Sequence, residues 1–126
     1  MAGSINKVIL LGRLGADPEI RVSQDGKKIA RFSLATSESW KDKNTNEKKE
    51  KTEWHKVVIF SVGLAEIVEK YIKKGSLIYI EGQINTRKYT DQSGLEKYIT
   101  EIVLQGYNCQ LTMVDNRGEN FDGNNV

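Results

Sequence analysis

Leu64–Lys74 reads LAEIVEKYIKK, and it is the one stretch of the chain whose apolar residues follow a helical period. Leu64, Ile67, Val68, Tyr71 and Ile72 fall at i, i+3, i+4, i+7 and i+8, which is a single stripe of an amphipathic helix. Lys73 and Lys74 suit the negative end of the helix dipole, and Gly75 is placed to stop it. On both sides of this stretch the period changes to two. Immediately upstream, Trp54–Phe60 (WHKVVIF) puts Trp54, Lys56, Val58 and Phe60 on one face and His55, Val57, Ile59 and Ser61 on the other. Before it, Lys41–Thr52 is polar and reads as a long mobile hairpin loop. Ile29–Ser37 alternates again, with Ala30, Phe32, Leu34 and Thr36 together. Lys7–Leu14 is an aliphatic run interrupted by Gly12, as at a bend. Pro18 breaks it, Glu19–Val22 resumes it, and Asp25-Gly26 marks a turn. Downstream, Ser76–Thr90 groups Ile78, Ile80 and Ile84 against Tyr79, Glu81, Gln83, Asn85, Arg87 and Tyr89. A turn at Asp91–Gly94 leads into Lys97–Gln105, continuing towards Thr112.

The order is therefore three strands, one helix, two strands. Five strands with one α-helix between strands 3 and 4 match an all-β OB-fold, a small Greek-key barrel that closes its own edges. The helix stripe would plug the open end. An SH3-like barrel competes, but it does not normally carry a three-turn helix at this point. Residues 1–113 make one domain, and 126 residues suffice for one core. Residues 114–126 are polar and expected to be disordered.

Charged residues make up 29% of the chain, yet the net charge is only +2, so charge alone does not argue for a polyanionic partner. The last 13 residues carry Arg117 against Asp115, Glu119 and Asp122, which leaves the part through Met113 at +4. Cys109 is the single cysteine, so no intrachain disulfide can form. The N-terminus has no secretory pattern, and its longest apolar run, Val8–Leu11, is far short of a membrane span.

Both tryptophans, Trp40 and Trp54, lie in Glu38–Phe60 at opposite ends of a lysine-rich segment. One strand face then presents aromatic, cation and aromatic in a row. A flat π-surface stacks on any base and a neighbouring ammonium meets a phosphate, which is what sequence-tolerant binding of single strands requires. The competing reading buries Trp54 and Phe60 in the core, and the alternation alone favours neither.

Three longer stretches decide between them: INKVILLGRLGADPEIR, ATSESWKDKNTNEKKEKTEWHKVVIF and KKGSLIYIEGQINTRKYTDQSG. From about Ile5 to Met113 the chain resembles bacterial-type single-stranded DNA-binding proteins. The resemblance implies an OB-fold domain that assembles as a homotetramer and holds single-stranded DNA during replication, recombination and repair. It implies base stacking at Trp40, Trp54 and Phe60, and at Tyr89, where many members have tryptophan. It implies phosphate contacts at Lys7, Arg21, Lys43, Lys49, Lys56, Lys74 and Arg87, and places His55 and Tyr79 as subunit-interface candidates. Members usually continue through a Gly/Pro/Gln-rich linker to an acidic tip ending in Ile-Pro-Phe, which recruits replication and repair proteins. This sequence runs to Val126 with neither, and reads as a truncated chain or an unusually short member. A bacterial, cytoplasmic, nucleoid-associated protein is expected.

No enzyme is expected. There is no nucleophile–base pair, no phosphate-binding glycine loop and no carboxylate pair at telling spacing. One His and one Cys far apart give no metal-site spacing, and no cofactor is implied. Two alternatives stay open: an OB-fold module for RNA, and a protein-interaction scaffold in which the aromatics bury in a partner.

Overall fold

The computed structural model describes residues 3–114. Its elements are β1 (Val8–Leu14), β2 (Glu19–Val22), β3 (Lys28–Lys41), β4 (Lys48–Ile59), α1 (Val62–Tyr71), β5 (Leu77–Thr90), β6 (Glu96–Leu104) and β7 (Gln110–Met113). Strand order β1-β3-β4-β6-β5, with β5 pairing back onto β1, closes a ring of five. All contacts in the ring are antiparallel except β4–β6, which is parallel over three pairs. This is the expected OB-fold barrel. The two short strands extend it: β2 lies on β3 and β7 on β5. The break before β7 coincides with Gly106, which adopts φ +74.

Closure brings backbones together where a side chain would not fit. A Cβ on Gly12 would stand 2.1 Å from the Ala35 carbonyl oxygen, and one on Gly82 would stand 2.6 Å from that of Val103. The interior is aliphatic. Ala30, Leu34, Ile59, Ile78, Ile80, Leu104 and Leu111 are fully buried, as alternation foretells for the inner face. The helix closes one end by burying Leu64, Ala65 and Val68, and Lys28 Nζ on β3 pairs with Glu69 on its outer side at 2.6 Å.

Three expectations change. The helix ends at Tyr71, not Lys74. Ile72 turns extended (φ −106, ψ 132) and is itself buried, so core packing, not Gly75, stops the helix. Gly75 instead takes φ +88 in the turn that follows. Tyr71 leaves the stripe and is exposed. The supposed loop Lys41–Thr52 is mostly ladder. Pairs from Ser37↔Thr52 to Lys41↔Lys48 continue the hairpin, and only Asp42–Glu47 reverses the chain. Its strands are solvated on both faces, so they show no apolar alternation. Ile84 is exposed because β5 leaves the barrel past Gly82 and continues as a second projecting hairpin with β6.

Candidate nucleic-acid interface

Register decides which side chains share the barrel's outer surface. Across β3 and β4, Ala35 faces Trp54, Ser33 faces Lys56 and Arg31 faces Val58. Across β4 and β6, Val58 faces Val103. Across β6 and β5, Glu101 faces Asn85, Ile99 faces Arg87 and Lys97 faces Tyr89. Four strands thus form one outer surface holding Trp54, Lys56, Arg87 and Tyr89. A groove of about 510 Å³ runs over it, lined by Gly15, Asp17, Arg31, Trp54, Lys56 and Glu101 among others.

The aromatics on and around this surface are not core residues. Trp54 is 59% exposed, Trp40 48%, Phe60 41% and Tyr89 39%. Trp54 rests on the main chain: a Cβ on Gly15 would lie 2.4 Å from its Cζ3 and 2.6 Å from its Cη2. The bend after β1 therefore abuts the outer edge of the indole's six-membered ring. Phe60 follows β4, its N–H donating to the Leu104 carbonyl at 2.9 Å. Trp40 pairs with Lys49 near the hairpin tip. Its parity along β3 puts it on the opposite face of the arm from Trp54, the face shared with Thr36 and His55.

The expected cations scatter more widely. Lys56 is exposed beside Trp54. Arg87 donates from Nε to Glu101 Oε1 at 2.9 Å, and this bond raises the guanidinium pKa further. Arg21 pairs with Glu19 on β2, beside Arg31. The backbone N–H of Lys74 donates to Asp17 at the groove edge at 2.8 Å. Lys43 sits at the tip of the β3–β4 arm, and Lys49 pairs with Asp42 at 3.1 Å. Lys7 lies elsewhere, paired with Glu81 at 3.0 Å on the sector where β1 meets β5.

An aspartate organises each arm tip. Asp42 accepts from the Asn44 N–H at 2.8 Å, and its carboxyl is held below the usual range by that bond and by Lys49. Asp91 accepts from the Ser93 hydroxyl and the Ser93 and Leu95 N–H groups, and is likewise lowered, chiefly by the Ser93 hydroxyl. Lys97 completes that tip at 3.3 Å.

The interface candidates His55 and Tyr79 do not come together. His55 Nε2 shares a hydrogen bond with Thr36 Oγ1 at 2.9 Å on the inner-face side of β4. Tyr79 lies on the outer surface of β5 opposite Leu11, and its hydroxyl donates to Glu81, which raises its pKa. Exposed Ile9 and Leu11 flank it. Sequence reasoning passed over these two, although an aliphatic run that alternates in and out signals apolar cover on both faces. It also passed over Gly15, Arg31 and Glu101. Among the described residues no cluster could hold a metal ion, and no helix is long and apolar enough to cross a membrane.

The single-strand binding protein family matches residues 5–112. A single-stranded DNA-binding protein of Rhizobium meliloti is 61% identical over 118 residues, covering 94% of this chain and 68% of its own length. One from Rickettsia typhi is 62% identical over 120 residues, covering 95% and 79%. A solved structure of a Plasmodium falciparum SSB complex with ssDNA superposes with TM-score 0.81 at 41% identity, covering 91% of this chain and 99% of that one.

Proposed function

The chain belongs to the single-strand binding protein family, and from that premise we propose that it binds single-stranded DNA without reading its sequence. It is a binding protein, not an enzyme. The observation that carries the mechanism is the exposure of Trp54 beside Lys56 on the four-stranded outer surface, with the outer edge of the indole set against Gly15. An exposed, pre-placed indole loses little freedom when a base covers its open side. Stacking contributes about 1–3 kcal/mol per base by alanine substitution, and every base has a π-face. Lys56 and Arg87, with Arg21, Lys43, Lys49 and Lys74 further out, meet phosphates. Each phosphate neutralised adds about −0.7 to the log–log salt slope on a single strand. Trp40, on the other face of its arm, serves a different part of the strand from Trp54. Phe60 and Tyr89 supply the remaining stacking positions.

The role is protection of exposed strands during replication, recombination and repair, by a homotetramer. Exposed Ile9 and Leu11 around Tyr79 give β1 and β5 an apolar outer patch suited to a second copy, and His55 is the second contact. Lys7, on that same sector, reaches DNA only at its border. Titration with oligo(dT) at several salt concentrations, read by tryptophan fluorescence, tests the central statement. Strong quenching to a stoichiometric, salt-dependent end point is expected, with Trp54→Ala and Trp40→Ala each weakening binding. No quenching at low salt sinks it, and tighter binding of poly(U) than of poly(dT) turns the site into an RNA site.

A further inference from the structure

Glu101 is the one buried charged residue among the described residues, 6% exposed, and it lies on the surface assigned above to a polyanion. A carboxylate lining a phosphate-binding groove repels the ligand, so electrostatics alone would disfavour it there. Burial adds a cost, because an ionised carboxylate out of water needs a partner. Its partner is Arg87 Nε, at 2.9 Å. Arg87 stands on β5 beside Ile99, and Glu101 stands on β6 two residues further along. The pair therefore ties the two strands on the outer face where the β5–β6 arm leaves the barrel. Arg87 itself remains largely exposed, since only its Nε edge is engaged.

A guanidinium is a rigid planar fork. Fixing its Nε edge fixes the direction of the two terminal nitrogens. We propose that Glu101 is a positioning residue for DNA binding: it anchors Arg87 by Nε so that the terminal N–H groups are held ready for a phosphate. Bound this way, Arg87 contributes geometry more than net charge, because the carboxylate cancels its charge at rest. This reading rests on the proposed single-stranded DNA site.

The two ideas about a groove carboxylate give opposite signs, which makes the test sharp. If Glu101 only repels phosphates, Glu101→Ala removes a negative charge and tightens binding. If Glu101 positions Arg87, Glu101→Ala releases a flexible arginine and weakens oligo(dT) binding, by about threefold to tenfold. Glu101→Gln keeps an oxygen that accepts from Nε while removing the charge. It should bind at least as tightly as the unaltered protein, with a steeper salt slope. A merely structural role would not produce that split, because both variants would move with stability. In Arg87→Ala background, Glu101→Ala should no longer weaken binding. Equal or tighter binding by Glu101→Ala than by the unaltered protein overturns the proposal, as does an undiminished loss in the Arg87→Ala background. Should Glu101→Ala fold poorly, Arg87→Lys answers the same question. A lysine ammonium has donors enough but no planar fork to hold one edge on Glu101 and turn the other to a phosphate, so a loss as large as that of Arg87→Ala supports positioning and full retention overturns it. Failure of the unaltered protein to bind oligo(dT) would strike the DNA reading itself and is seen separately in the same titrations.

Discussion

Gly15→Ala should weaken DNA binding without touching DNA. The added Cβ would lie 2.4 Å from Trp54 Cζ3 and 2.6 Å from Cη2. Carbon atoms pack at about 3.5–4.0 Å, so the indole must withdraw by roughly 1 Å. The backbone has no reason to object, because Gly15 is not among the glycines with positive φ. The clash falls on the far end of an exposed ring, which can swing, so the fold should survive with little loss of stability. The ring, however, is pushed out of the place that its edge contact with Gly15 gives it. The ceiling on the effect is the full stacking contribution of one base, about 1–3 kcal/mol, or roughly 5- to 150-fold in Kd. A 1 Å displacement should cost part of that, on the order of threefold to tenfold. The assay is oligo(dT) titration of Gly15→Ala, Trp54→Ala and the double variant, with a urea melt of each. The double variant should bind no worse than Trp54→Ala alone, since Gly15 acts only through the ring. The emission of Trp54 without DNA should also shift. Losses that add in the double variant would falsify the claim that Gly15 is a support for the indole.

Gly12 gives the structural counterpart. Its added Cβ would meet backbone, the Ala35 carbonyl oxygen at 2.1 Å, so Gly12→Ala should destabilise the barrel by about 1–3 kcal/mol, and an unchanged urea midpoint would show that β1 and β3 close less tightly. Acid should loosen the arm tips before the barrel. Asp42 and Asp91 have folded pKa values below their ordinary ones, so their contribution is present above pH 4 or so and fades as pH falls through the lowered values. Amide exchange at Asn44 and Leu95, corrected for intrinsic rates, should rise over that window, and tips as protected at pH 3 as at pH 6 would contradict it. Lys43→Ala, at an exposed tip, should shave the salt slope by less than one phosphate's worth, about 0.7, with the melt unchanged; a lost melt instead would make it structural.

The sequence exposed the barrel almost completely, and for a physical reason. Ala30, Phe32, Leu34, Val57, Ile59, Ile78 and Ile80 recur at every second position because one face of each strand meets a dry interior. The same rule is blind where both faces are wet, which is why Lys48–Thr52 read as loop though it pairs residue for residue with Ser37–Lys41. Ile72 shows a second limit. Its spacing fits a helix, yet it is buried as an extended residue just past the helix end. At the site, alternation placed Trp54, Lys56, Arg87 and Tyr89 on the correct faces but could not set them on one surface. That needed the parallel contact of β4 with β6, a long-range pairing with no local signature. Glu101 was illegible for the same reason: only the register across β5 and β6 reveals its arginine.

The low net charge also finds its explanation in these pairings. Lysines on the arms come with resident carboxylates: Lys49 with Asp42, Lys88 with Glu96 at 2.7 Å and Lys97 with Asp91. Exposed pairs of this kind are worth little, about 0–1 kcal/mol, so a phosphate can displace the carboxylate at small cost. The freed carboxylate then gathers a cation from solution, which offsets part of the counterion release from the strand. A charge count of the arms consequently overstates the electrostatic contribution, and the salt slope should fall below it. In the proposed site the balance of affinity then moves to the rings, whose contribution depends on no ion. An interface built this way grips through stacking and lets go through inexpensive ion exchange, which is the combination that suits a protein that covers a strand and must later be moved off it.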